Sequence, residues 1–205
     1  MGWWQDQVVP RVVHRCLDVA RVRELRPPVC EGLAGDVAEI GFGSGLNIPC
    51  YPAAVAGVWA VEPSDVAWRM AEPRLAQSPV PVERAGLDGQ AMDLPDDRFD
   101  AVLSTFTLCT IPDAGAALSE VARVLRPGGT FHFLEHGRSP EPTVARWQDR
   151  VQPVYGPLAG GCHIDRPVAD LVHRSGLAVE RIDRFYANGP KPFAYIFRGQ
   201  ARKAG

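Results

Sequence analysis

Apolar residues near the start of the chain recur at helical spacing. Val8, Val9, Val12, Val13, Cys16, Leu17 and Ala20 share one stripe, which predicts a helix over residues 5–25 ended by Pro27-Pro28. From residue 36 the pattern changes to short apolar runs at 37–42, 57–62, 80–84, 99–106 and 130–135. Helical segments are expected between them at 64–77 and 113–125. Such alternation predicts a parallel sheet with helices on both faces. Gly128-Gly129 is expected to break the second of these helices and lead into the fifth strand. Residues 138–163 hold Pro140, Pro142, Pro153 and Pro157 and no clear period, so no element is assigned there. A helix is expected at 166–175, then strands at 178–186 and 192–198. The Asn188-Gly189-Pro190 turn is short enough to make those strands an antiparallel pair. The fold class is α/β, with a doubly wound sheet in three α/β/α layers.

Composition narrows the picture. The 205 residues read as one domain over 1–205, with 1–35 as an N-terminal helical lid segment. The hydrophobic fraction of 46% and charged fraction of 22% exclude a disordered chain, a coiled coil and a collagen-like repeat. A net charge of −2 gives no footing for nucleic acid. No apolar run is long enough to span a bilayer and no signal peptide is seen, so a cytoplasmic protein without stable membrane insertion is expected. Trp3-Trp4 reads as packing against the domain, with contact to a membrane surface as the alternative. Five cysteines without a CxxC give no zinc ribbon or thioredoxin-type site, and no metal is expected.

The strongest local signal is Glu39-Ile40-Gly41-Phe42-Gly43-Ser44-Gly45, at the end of a predicted strand. Glycines there permit positive φ and close approach of backbone to a ligand. The carboxyl ends of strands are where open α/β sheets bind ligands. Glu62 closes the next strand, where an acid can accept both hydroxyl protons of a ribose. A dinucleotide fingerprint would need glycine at position 46, and Leu46 stands there, so the spacing is GxGxG after an acid.

Four motifs in order now carry a resemblance: EIGFGSG at 39–45, VEPS at 61–64, FDAVLSTFTLCTIPD at 99–113 and RVLRPGG at 123–129. The chain resembles the class I methyltransferases that use S-adenosylmethionine, of the type 11 and ubiquinone-menaquinone methyltransferase-like group, from about residue 36 to 198. The resemblance implies a Rossmann-like seven-stranded sheet in the order 3-2-1-4-5-7-6 with strand 7 antiparallel. It places Gly41, Gly43 and Gly45 under the methionine part and ribose of the cofactor, with Asn47 as a further contact. It gives Glu39 to orienting the loop or reaching the ammonium group through water. It puts Glu62 on the ribose hydroxyls and Pro63 against adenine. Gln90, Ala91 and Met92 fall in the adenine loop. Gln90 stands where many members have an acid, so a charge-assisted bond is lost there, and Asp93 is the nearby substitute. The backbone of Thr105 and Phe106 would line the cofactor.

Candidates for the acceptor side cluster late in the chain. Glu135-His136 ends the fifth strand on the ligand edge. His136 is either a base or a loop-capping group. His163, after Gly160-Gly161-Cys162, is either a base paired with Asp165 or a loop anchor. His14 reads as solvated, and His132 and His173 as structural. Cys109 and Cys162 reach the same pocket. They read first as small buried hydrophobes, with thiolates gathered round one metalloid ion as the alternative. Glu135, Trp147 and Tyr155 are read as pocket wall. The order FLEHGRS, RWQDRVQPVY and GGCH resembles a subfamily with membrane-associated thiol methyltransferases of animals and soluble bacterial relatives. The resemblance implies methyl transfer to a small, apolar acceptor, a thiol first, then a phenol or ring carbon. A quinone-type C-methyltransferase and a catalytically silent cofactor-binding partner protein are the alternatives.

Overall fold

A computed structural model describes residues 2–205. Its seven strands form one sheet in the order β3-β2-β1-β4-β5-β7-β6. They are β1 (Gly35–Ile40), β2 (Val55–Val61), β3 (Val82–Gly86), β4 (Phe99–Thr105), β5 (Leu125–His136), β6 (Ala178–Tyr186) and β7 (Tyr195–Arg202). The first five run parallel, and β7 is antiparallel to both neighbours. The helices are α1 (Val9–Leu17), α2 (Ala20–Arg23), α3 (Pro27–Cys30), α4 (Asp65–Leu75), α5 (Ala114–Val124), α6 (Pro142–Leu158), α7 (Val168–Arg174) and α8 (Lys191–Ala194).

Strand alternation divides the core in two. Val37 and Leu103 pack with Val29 and Cys30 of α3, Leu33 and Ala71 of α4. Their chain neighbours Ala38 and Val102 face the other way. They pack with Leu118 and Val121 of α5, Val172 of α7, and Phe131 and Phe133. The central strands are therefore apolar on both faces, as parallel strands under two helix layers must be. The outer strands differ. Glu83 and Arg84 stand on β3, and Glu180, Arg181, Asp183 and Arg184 on β6.

Several sequence expectations need correction. The N-terminal stripe is not one helix. A π-turn at Trp4–Val8 precedes α1, which ends at Leu17, and Pro27-Pro28 starts α3 rather than ending a helix. Proline suits a first helical turn, where its missing N–H has no partner to lose. Asp18 is drawn into ion pairs with Arg23 and Arg74, which turns the chain away. Gly128-Gly129 does not cap α5. That helix stops at Val124 and the strand begins at Leu125, with the glycine pair inside a register shift against β4. Residues 142–158, unassigned from sequence, form the 17-residue α6 with Pro153 and Pro157 inside it. Trp3 and Trp4 are largely solvent-exposed, at 73% and 49%, rather than buried against the domain as expected. No helix among the described residues is long and apolar enough to cross a membrane.

Candidate active site

The glycine turn leaves β1 level with the ends of β2 and β4. Gly41, Gly43 and Gly45 all take positive φ, at 67°, 60° and 73°. A side chain at Gly41 would strike Thr107, and one at Gly45 would strike Ile48. A Cβ on Gly43 would meet only the Gly41 carbonyl, at 3.8 Å, so that position opens onto free space. Glu62 lies under the turn, accepting from the Gly43 and Ser64 N–H groups, both at 2.7 Å. Burial raises its pKa, and the Ser64 and Gly43 N–H groups oppose that rise. Each of its oxygens keeps a lone pair beyond these bonds.

Behind the turn lies a buried polar network. Glu39 accepts from Tyr51 at 2.5 Å and from Asn47 at 2.9 Å. Asn47 also donates to Thr105 and accepts from Arg26, at 2.9 and 2.7 Å. Glu39 thus anchors the loop through Asn47 and Tyr51. Burial pushes its pKa up to about 7, against the pull of Tyr51, Asn47 and Arg26. Arg26 was not singled out from sequence. It is 3% exposed, its guanidinium lies 5.7 Å from the Phe106 ring centre, and its Nε is buried without a partner. In sequence it is one arginine among 20, and only its contacts distinguish it.

Of the adenine-loop residues, Met92 is buried in the core, with its N–H on Glu120 and its carbonyl on Arg123. Ala91 is exposed, and the Gln90 side-chain carbonyl accepts from the Asp113 N–H at 2.8 Å. Pro63 is exposed beside Glu62. His14 is half-buried rather than solvated, its Nδ1 2.7 Å from the Ser44 hydroxyl, so α1 reaches the glycine turn.

The acceptor candidates separate. Glu135 is fully buried. It accepts from the Ser104 hydroxyl and the N–H groups of Thr107 and Cys109, at 2.8, 3.2 and 3.1 Å, which sets the loop leaving β4. Cys109, Cys162 and His136 converge. The sulfurs are 3.6 Å apart, and His136 Nδ1 lies 3.9 Å from one and 3.8 Å from the other. The Phe106 ring packs on His136 at 4.9 Å. The hydrogen bond with Cys109, then His136, lowers the Cys162 pKa, while the same bond and burial raise that of Cys109. His163 donates its N–H to the Cys109 carbonyl at 2.7 Å, which ties the two loops. Its ring lies in an open cleft with Gln152 and Asp165, 3.8 Å from the Asp165 carboxylate. Tyr155 packs on the cysteine pair. Trp147 is on the exposed face of α6 under Arg150, apart from the cluster.

A glycine turn of this spacing over an acid-capped second strand is an arrangement with which Rossmann-like sheets hold nucleoside cofactors. A family profile described as a methyltransferase domain matches residues 38–133. Thiol S-methyltransferase TMT1B of Rattus norvegicus is 33% identical over 164 residues, covering 77% of this chain and 64% of the rat protein. The Mus musculus TMT1B is 30% identical over 174 residues, covering 81% and 68%. A geranyl diphosphate methyltransferase solved in complex with S-adenosylmethionine shares the fold, with TM-score 0.68 and 12% identity over 89% of this chain and 84% of that one. The chain belongs to the class I S-adenosylmethionine-dependent methyltransferases. It spans less than two thirds of the length of the rat relative.

Proposed function

We propose that this chain transfers a methyl group from S-adenosylmethionine to a small thiol. The carrying observation is the likeness to thiol S-methyltransferases over 81% of the chain, together with the ordered motifs. The residues fit the cofactor. Gly43 opens onto space a Cβ would fill, Glu62 keeps free lone pairs at the sheet edge, and the orphaned Arg26 Nε suits a carboxylate. Bound S-adenosylmethionine supplies an electrophilic sulfonium methyl. Glu62 would hold the ribose hydroxyls, Arg26 the methionine carboxylate, and Asn47 with Glu39 the loop between them. The chain's further work is to position the acceptor and exclude water. Phe106, Cys109, His136 and Cys162 line the end of β4 and β5 with apolar or soft groups, which suits sulfur better than a charged acceptor. A thiol also needs little help from a base near neutral pH. We place the α1 region as a lid, because His14 touches the glycine turn while Val9 packs on Gly160.

The test is a panel of thiols, phenols and quinols assayed for S-adenosylhomocysteine release. Thiols should give the highest kcat/KM. Turnover confined to phenols or quinols would overturn the thiol assignment, and none with any acceptor would leave a cofactor-binding protein. His136→Ala should lower turnover with a thiol at least tenfold, with cofactor affinity within twofold. His163→Ala probes the second histidine in the same assay.

A further inference from the structure

We propose that Cys109, His136 and Cys162 form a three-ligand site for a soft divalent cation, zinc by its donor set, with a fourth position for the acceptor thiol. The proposal rests on the thiol reading above for its occupant, though not for the site. The three donors come from the exit of β4, the end of β5 and the loop after α6. One ligand atom of each lies within 4.8 Å of the others. Tetrahedral zinc with Zn–S near 2.3 Å and Zn–N near 2.0 Å sets adjacent ligand atoms about 3.5–3.8 Å apart. The observed separations are 3.6, 3.8 and 3.9 Å, close to one face of that tetrahedron. Among the described residues no other group of His, Cys, Asp or Glu side chains converges this way.

The surroundings hold the face in place. Glu135 fixes the Cys109 backbone, Gln152 donates to the Cys162 carbonyl at 3.0 Å, and Phe106 packs on the imidazole. Positioned ligands of this kind need supporting contacts of their own. Two sulfurs and one imidazole are a soft set that suits zinc over magnesium or calcium. Three protein ligands leave one coordination position, the mark of a catalytic rather than structural site. Both cysteines are buried, while His136 is half-buried and gives the approach. An incoming thiol would bind there as thiolate and lose its proton to solvent. Its sulfur then bonds to the methyl carbon as the carbon–sulfonium bond breaks, and that electron pair passes to the cofactor sulfur. The neutral thioether product is a weak ligand and leaves. His136 is thereby a ligand and not the base, and no general base is required.

The test uses cobalt as a spectroscopic stand-in, titrated into chelator-treated, reduced full-length protein. One equivalent should bind with tetrahedral d–d absorption and a thiolate-to-metal band, and a thiol should shift both. Cys162→Ala should abolish the thiolate band or weaken binding at least 100-fold. His136→Ala, at a less buried position, serves if the first variant fails to fold, with folding checked by circular dichroism. No stoichiometric uptake, uptake unchanged in the variants, or a Cys109–Cys162 disulfide as the only sulfur chemistry would each overturn the site. Thiol methylation undiminished in metal-free protein would overturn the metal's role and keep the thiol reading. Cobalt binding with no methyl transfer to any thiol would keep the site and remove that reading.

Discussion

Glu62 and Glu39 are both buried carboxylates a few ångströms from the same turn, yet they do different things. Glu62 faces N–H groups of Gly43 and Ser64. Glu62→Ala should weaken S-adenosylmethionine binding by about 1.5–3 kcal/mol, the range for hydrogen bonds to a charged group, measured by calorimetry. Glu62→Gln should lose less, since one oxygen remains. Glu39 is enclosed by Tyr51, Asn47 and Arg26, and its pKa rises from 4.5 to about 7 on folding. The folded chain therefore keeps a proton that the unfolded chain releases, and stability falls as pH rises through that window. The contribution is on the order of 3 kcal/mol. Glu39→Gln should flatten the stability profile between these pH values in chemical denaturation, and an unchanged slope would refute the assignment. At this scale the sequence was legible where a residue sat in a motif. Glu39, Glu62 and the three glycines are spaced by the turn itself. Arg26 and the Glu135 carboxylate cradle were not, because their roles depend on partners up to 79 residues away.

Elements follow local rules more closely than single residues do. Ser64 and Asp113 accept from the N–H three residues on and so start α4 and α5. Asp113→Ala should cost about 1 kcal/mol, typical for a lost N-cap, read as a shifted denaturation midpoint. The edges of strands were readable within a few residues because apolar runs are bounded by glycine, proline or charge. The missed element is instructive. α6 carries Pro153 and Pro157, each of which removes a backbone donor, so sequence rules argue against it. Tertiary bonds compensate: Gln148 donates to the carbonyls of Gly137 and Ile164, at 3.1 and 2.8 Å, and accepts from the Ser139 N–H. A polar residue at the centre of a proline-interrupted helix can be recognised as an anchor only after its targets are in place. Gln148→Leu should therefore destabilise the α6 region first, visible as early local hydrogen exchange there.

For the whole molecule, the order of the strands came from the family resemblance that the ordered motifs carry, whereas strand–helix alternation by itself predicted only a parallel sheet between helix layers. That Cys109 and Cys162 share a pocket was expected from their places in the chain, but that His136 meets both sulfurs was not, because it depends on how two connections on opposite sides of β5 fold together. The placement of α1 couples distant parts: it meets the glycine turn through His14 and Ser44, α4 through Asp18 and Arg74, and the Gly160 turn through Val9. Asp18→Ala should loosen all three contacts together, raising the cofactor dissociation rate several-fold in stopped-flow measurement, while an unchanged rate would remove the lid role. The sheet also has two open margins. β3 and β6 each present unpaired backbone groups to solvent, a template on which another chain could continue the sheet. Glu83 and Arg84 on one margin, and Glu180, Arg181, Asp183 and Arg184 on the other, place charge of both signs there. A fibril nucleus would have to desolvate these charges before its first added strand could pair, a barrier that a plain apolar margin would lack.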